Sequence, residues 1–252
     1  MLIKFSEGTR TDLGRLPIVA IDGPAGAGKS TAARWLAYQL GFRLIDTGAL
    51  YRCLALMANE KGISLSHGQS LALLGGQLNI QFGNLEKPSE TEKSEGTWGV
   101  PKLRIFCDSV DVTDSIRAPE LGMAASNISK IPEVREALLK LQRDFGREGG
   151  IVMEGRDIGT VIFPDAEIKF FLTADIQSRA KRRWLELKSS GIERDLDLVA
   201  RETQMRDDQD SQRPIAPLKK ADDAELIDSS GRPLDEVVSE MSFRVREFLK
   251  KK

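Results

Sequence analysis

Histidine occurs once in this 252-residue chain, at His67, and cysteine only twice, at Cys53 and Cys107. That scarcity leaves no His/Cys set with metal-ligand spacing. The two thiols, far apart in sequence, read as reduced and packed. An excess of either charge is missing as well: 37 Lys and Arg against 38 Asp and Glu leave a net charge of −1. There is thus no global basic footprint of the kind that draws nucleic acid or anionic membranes, and neither is expected as a partner. No apolar run approaches the ~20 residues of a membrane span. The stretch before Leu16 carries Lys4, Glu7, Arg10, Asp12 and Arg15 with no signal-type apolar segment, so a cytoplasmic location is expected. Internal repeats are lacking too.

With 40% hydrophobic residues, the chain has enough apolar matter for one α/β domain with small inserted subdomains. LPIVAI (16–21) reads as a buried strand ending at Asp22-Gly23, and Ala33, Leu36, Ala37 and Leu40 then repeat at helical spacing up to Gly41. FRLI (42–45) predicts a second strand, and Asp46 or Thr47 can cap a helix holding Leu50, Leu54 and Met57. From about 64 to 114 the pattern predicts short strands (LNIQF, KLRIF) around a polar insert, EKPSETEKSEGTWG, read as an exposed hairpin tip. A helical stretch and a helix opening at Pro132 follow. IVM (151–153), EIKFFL (167–172) and LID (226–228) are further strands; 176–188, 195–206 and 234–249 read as helices. Strands alternating with helices imply a mostly parallel sheet in a three-layer α/β/α core.

The strongest chemical signal is Gly23-Pro24-Ala25-Gly26-Ala27-Gly28-Lys29-Ser30-Thr31, which satisfies G-x-x-x-x-G-K-[ST] between a predicted strand and a predicted helix. Glycines let backbone N–H groups surround phosphate oxygens, and the helix dipole adds to the attraction. Lys29 is expected on the β- and γ-phosphates of ATP and Ser30 on Mg²⁺. A GTPase would be expected to carry a guanine-reading N-K-x-D segment, and this chain has none. Instead arginines stand where loops are expected, Arg156 in GRDIGT and Arg206 and Arg213 in RDDQDSQR. Phosphoryl transfer uses such residues, because guanidinium forks and Mg²⁺ stabilise charge spread over phosphate oxygens. The basic helix adds Arg179, Lys181, Arg182 and Arg183, too many for one face. Arg179 and Arg182 are assigned to the ATP side, and a solvated face accounts for the rest.

IDGPAGAGKST, LIDTGALYR (44–52), GRDIGTVIFPDAEIKFFL (155–172) and RDDQDSQRPIAPL (206–218), in this order and spacing, resemble the bacterial cytidylate kinase family over about residues 17 to 250. The resemblance implies a nucleoside monophosphate kinase with a parallel-sheet P-loop core at about 17–63, 115–175 and 214–250. It also implies an inserted CMP-binding subdomain at about 64–114, a short helical lid at about 176–213, and an extension at 1–16. It further implies that Thr47 and Arg52 contact the CMP side, that Ser126, Arg135 and Asp157 read cytosine, and that Arg156, Arg206, Asp210 and Arg213 serve the substrate's phosphate and sugar. Lys29, Arg156, Arg206 and Arg213 are then the catalytic set.

Read residue by residue, alternatives stay open. Thr47 equally fits a helix cap, Arg135 a surface arginine beside its apolar stripe, Asp157 a structural ion pair with Arg156, and Asp207, Asp208 and Asp210 a solvated helix end. The expected reaction is transfer of the γ-phosphoryl group of ATP, with Mg²⁺, to CMP or dCMP by a monomeric enzyme. A kinase of the same fold for UMP or another small acceptor, and a nucleotide-binding switch, are the alternatives.

Overall fold

The computed structural model describes residues 15–88, 99–189 and 191–251. Most of the polar N-terminal stretch and the tip of the charged insert therefore lie outside the described residues.

The first strand, β1 (Ile18–Asp22), is buried at all five positions, as expected of a strand covered on both faces. The glycine-rich turn leads into α1 (Lys29–Leu40), then β2 (Arg43–Asp46) and α2 (Thr47–Glu60). The cap of α2 is Asp46, whose carboxylate accepts from the Ala49 N–H at 3.0 Å. Next comes α3 (Gly68–Gln77), in a region whose sequence predicts only strand-like pieces. Its buried residues are Leu71, Leu74 and Gly75. A Cβ on Gly75 would stand 3.5 Å from Leu138 and 3.6 Å from Leu54, an ordinary packing distance that places this face of α3 against both side chains.

The hairpin strands are β3 (Ile80–Glu86), β4 (Lys102–Cys107) and the short β5 (Val110–Asp111). Proline opens both α4 (Pro119–Ile128) and α5 (Pro132–Phe145), where its fixed φ suits a first turn. Then follow β6 (Ile151–Glu154), a π-helical turn at Ile158–Ile162, β7 (Ile168–Thr173), α6 (Ile176–Ser189), α7 (Leu196–Gln212), β8 (Glu225–Asp228) and α8 (Leu234–Lys250). Helix α7 runs six residues past the predicted end at Arg206. That arginine therefore sits inside a helix, not in the loop the sequence suggests. The inward stripe of α7 is Val199, Thr203, Asp207 and Asp210, mostly polar and so invisible to apolar periodicity.

Five strands form one sheet in the order β2-β6-β1-β7-β8, and β3-β4-β5 form a second. The large sheet is mostly parallel and flanked by helices. Val19 pairs with Ile168 and Ile21 with Phe170, and β7 pairs in parallel with β8 from Phe170↔Glu225 to Thr173↔Asp228. The small sheet is antiparallel, with an irregularity between Phe82 and Leu85. None of the described helices is long and apolar enough to cross a membrane.

By internal contacts the chain divides into two compact units, one made of residues 1–18 and 37–153, the other of 19–36 and 154–252. In the first, Leu50, Leu54, Leu71, Leu103, Ile116 and Ile128 are among the fully buried side chains, each worth about 1.5–3 kcal/mol of transfer free energy. Cys53 and Cys107 meet there as free, buried thiols whose mutual hydrogen bond pushes the Cys53 thiol up. In the second, Ile21, Phe170, Leu172, Ile227 and Met241 build the core.

Candidate active site

The phosphate loop belongs to the second unit and leaves β1 through Gly23. At φ +147°, a Cβ there would lie 1.9 Å from the Leu172 carbonyl oxygen, so only glycine fits. Gly26 (φ +75°) and Gly28 (φ +88°) adopt the left-handed backbone that a tight loop requires. Lys29 opens α1 and is 6% exposed, its Nζ donating to the Pro24 carbonyl at 2.8 Å. Burial lowers its pKa from 10.5 to about 7, with Arg156 and Arg206 adding to the fall and Glu154 and Asp22 opposing it. Ser30 donates to Glu154 Oε2 at 2.9 Å. A hydroxyl and a carboxylate side by side form the hard-oxygen set that suits Mg²⁺.

Two arginines of α6 flank the loop. Arg179, buried, donates to the Ala174 carbonyl at 2.8 Å and the Ala25 carbonyl at 3.2 Å, and pairs with Asp207 of α7. Arg182 donates to the Gly26 carbonyl at 3.3 Å and to the Ser229 hydroxyl at 3.0 Å. Both thus grip carbonyls of the phosphate loop. Lys181 is exposed, and Arg183 pairs with Glu186 on the surface.

The arginines of GRDIGT and α7 gather around Asp210. Arg156 Nε donates to Asp210 Oδ2 at 2.8 Å, and Arg213 Nη2 donates to Asp157 Oδ1 at 3.2 Å. The pairs are crossed between the two segments, and Asp157 is not the partner of Arg156. Burial pushes the Asp210 carboxyl up, but Arg156, Arg206 and Arg213 together outweigh it and hold the group below its ordinary value. Arg206 is exposed on its helix. Asp207 and Asp210, at 9% and 6% exposure, are not a solvated helix end, whereas Asp208 is exposed.

In the first unit, Asp46 holds Arg52 through its Nη2 at 2.8 Å across the start of α2. Gly48 makes room for that pair: a Cβ there would stand 3.1 Å from Asp46 Oδ1 and 3.2 Å from Arg52 Nη1. Arg52 Nε is buried without a hydrogen-bond partner. Thr47 begins the helix and is buried, but Asp46 does the capping. Arg135, at 9% exposure, is no surface residue; its Nη1 donates to the Tyr51 hydroxyl at 3.4 Å and the Ser129 carbonyl at 3.2 Å. Ser126 is half-buried, and its carbonyl accepts from the Ser129 hydroxyl at 2.9 Å.

Sequence reasoning missed Asp22, Glu154, Asp207 and Ser229. Glu154 carries a readable signal, an acid at the carboxyl end of an apolar strand, where open α/β sheets bind ligands. Ser229, 3% exposed, receives Arg182 and reaches the Ala27 carbonyl at 3.0 Å, a contact that only tertiary structure creates. Among the described residues no cluster of His, Cys, Asp and Glu could hold a metal ion by itself.

The profile of the cytidylate kinase family matches residues 19–247. A cytidylate kinase from Geobacter sulfurreducens is 47% identical over 230 residues, covering 91% of this chain and 93% of that protein. One from Pseudomonas aeruginosa PAO1 is 45% identical over 225 residues, covering 89% and 93%. A solved gluconokinase structure from Sinorhizobium meliloti is more distant, at 13% identity and a TM-score of 0.44 over 94% of this chain and 97% of that one. With the phosphate loop in place, the family profile matched over residues 19–247 and two cytidylate kinases 45–47% identical over about nine-tenths of the chain, the chain belongs to the cytidylate kinase family.

Proposed function

We propose that this chain transfers the γ-phosphoryl group of ATP to CMP and dCMP, giving ADP and the nucleoside diphosphate. The observation that carries the reading is the gathering of Arg156, Arg206 and Arg213 around Asp210, in the unit that also presents Lys29. A transfer between phosphates asks for little covalent help from the protein. It needs cations held where charge spreads over equatorial oxygens, and a site closed to water. The acceptor is already a phosphate anion, so no dedicated general base is required.

Lys29 then neutralises the β- and γ-phosphates. Ser30, with Glu154 behind it, would hold Mg²⁺, which would supply charge neutralisation to the phosphates. Arg179 and Arg182 stiffen the phosphate loop from α6; with α7 this helix forms the lid, residues 176–213. On the acceptor side Arg52, whose buried Nε is still unpaired, takes the CMP phosphate beside Thr47. Arg156, Arg206, Asp210 and Arg213 serve phosphate and sugar. Cytosine offers an amine donor and an N3 acceptor, which Asp157 or Ser126 and Arg135 complement. The buried, reduced thiols Cys53 and Cys107 suit the cytoplasm.

The test is ADP release in the presence and absence of CMP, with the nucleotide product identified and with Mg²⁺ chelated in a parallel sample. CDP formed in step with ADP, and only with Mg²⁺, supports the reading. ADP and inorganic phosphate formed regardless of CMP would contradict it.

A further inference from the structure

Asp22 lies outside every role given above, yet it is a carboxylate at 5% exposure at the end of β1, next to the phosphate loop. An acid is buried like this only when donors replace its lost water. Two do: Oδ1 accepts from the Ile158 N–H at 2.8 Å and Oδ2 from the Gly159 N–H at 2.7 Å. These are the first two N–H groups of the π-helical turn, which have no acceptor within the turn itself. Asp22 caps that turn from a distant strand.

The consequence concerns Arg156 and Asp157. The residue before them, Gly155, donates its N–H to the Ile21 carbonyl at 3.0 Å. The residues after them are held by the Asp22 carboxylate. Backbone pairing of Asp22 with Phe171 fixes the strand that supplies both ties. Arg156 and Asp157 therefore stand on a short span pinned to β1 at each end, and from it they reach Asp210 and Arg213. Asp22 also lies close enough to Lys29 for each to shift the other's charge state.

We infer that Asp22 is a positioning residue, which sets the place of Arg156 and Asp157 relative to the phosphate loop by capping the turn that follows them. Only a carboxylate suits the site, since each oxygen must accept. Asparagine offers one acceptor and turns an NH₂ group toward the other N–H donor. Charge supports this reading: burial raises the carboxyl to about 6, against the two N–H bonds and Lys29, with Asp157 adding to the rise. Lys169 is a further charged group nearby: a Cβ on Gly159 would stand 3.1 Å from its Cδ and 3.5 Å from Asp22 Oδ2.

The inference rests on the proposed kinase reading, so the decisive experiment carries its own control. Asp22→Asn and wild type are assayed side by side for kcat and for KM of CMP and MgATP. The inference expects kcat to fall on the order of 10²-fold, the loss that misplacement by about an ångström produces, with KM for MgATP within about threefold of wild type. An active wild type with an equally active variant, or a variant whose loss is entirely in MgATP binding, overturns it. A wild type that does not transfer phosphate to CMP refutes the kinase reading instead. In that case, or if Asp22→Asn fails to fold, wild-type amide shifts decide. Those of Ile158 and Gly159 move together with a midpoint about 6 if Asp22 caps the turn, and shift independently or not at all between pH 5 and 7 if it does not.

Discussion

Lys29→Met should make the ligand-free protein more stable while abolishing transfer. The ammonium is 6% exposed and its pKa falls from 10.5 to about 7, chiefly through burial and then the nearby Arg156. At 1.36 kcal/mol per pKa unit, keeping this group in the folded protein costs about 4 kcal/mol at neutral pH. Methionine keeps the length and apolar packing of the stem. It gives up the hydrogen bond to the Pro24 carbonyl, worth about 1 kcal/mol. The balance is a stabilisation on the order of 3 kcal/mol, or roughly 6–12 °C in Tm for a chain of this size. The pH dependence identifies the cause. Between about 7 and 10.5 the unfolded chain holds a proton at this lysine that the folded chain has released, so wild-type stability rises with pH. The advantage of Lys29→Met is therefore full below pH 7 and shrinks toward pH 10.5. Thermal melts of both proteins from pH 6 to 9 make the measurement. A variant no more stable than wild type, with a gap that does not change with pH, would refute the reasoning.

Three further substitutions separate chemistry from scaffolding. Arg206→Ala, at an exposed helix position, should leave Tm within 2 °C or so yet lower kcat by on the order of 10³ with MgATP affinity retained; steady-state kinetics beside a melt check this. Arg135→Met should keep MgATP binding but lose most of the preference for CMP over UMP, because it removes a buried donor worth roughly 1–3 kcal/mol of discrimination; kcat/KM for the two acceptors gives the answer. Gly23→Ala should destabilise by about 3 kcal/mol or more, since its Cβ would meet the Leu172 carbonyl at 1.9 Å; urea unfolding measures it.

The strands and most helices were legible because their apolar spacing matches their burial: LPIVAI predicts β1, and the Pro132 stripe predicts α5 with Val134 and Leu138 buried. Apart from α3, what escaped was written in polar residues. Helix α7 continues to Gln212 on a stripe that buries Asp207 and Asp210, and neither acid raises an apolar period. Arg135 adjoins that apolar stripe, and the Tyr51 hydroxyl and the Ser129 carbonyl, which accept from it, are not readable from spacing. Asp22 looks like the first half of an ordinary Asp-Gly turn until the N–H groups of Ile158 and Gly159, 136 and 137 residues away, close on it. The motif spacing placed GRDIGT and RDDQDSQR in one site without showing that their ion pairs cross.

A competition in one tube tests the account most directly. CMP, dCMP and UMP are supplied together at equal concentration with γ-labelled MgATP, and the label is followed into each product. The account predicts label in CDP and dCDP, with CDP formed at least about a hundredfold faster than UDP, as two or more base-specific polar contacts require. Label appearing in UDP at a comparable rate, or mainly in inorganic phosphate, would contradict it.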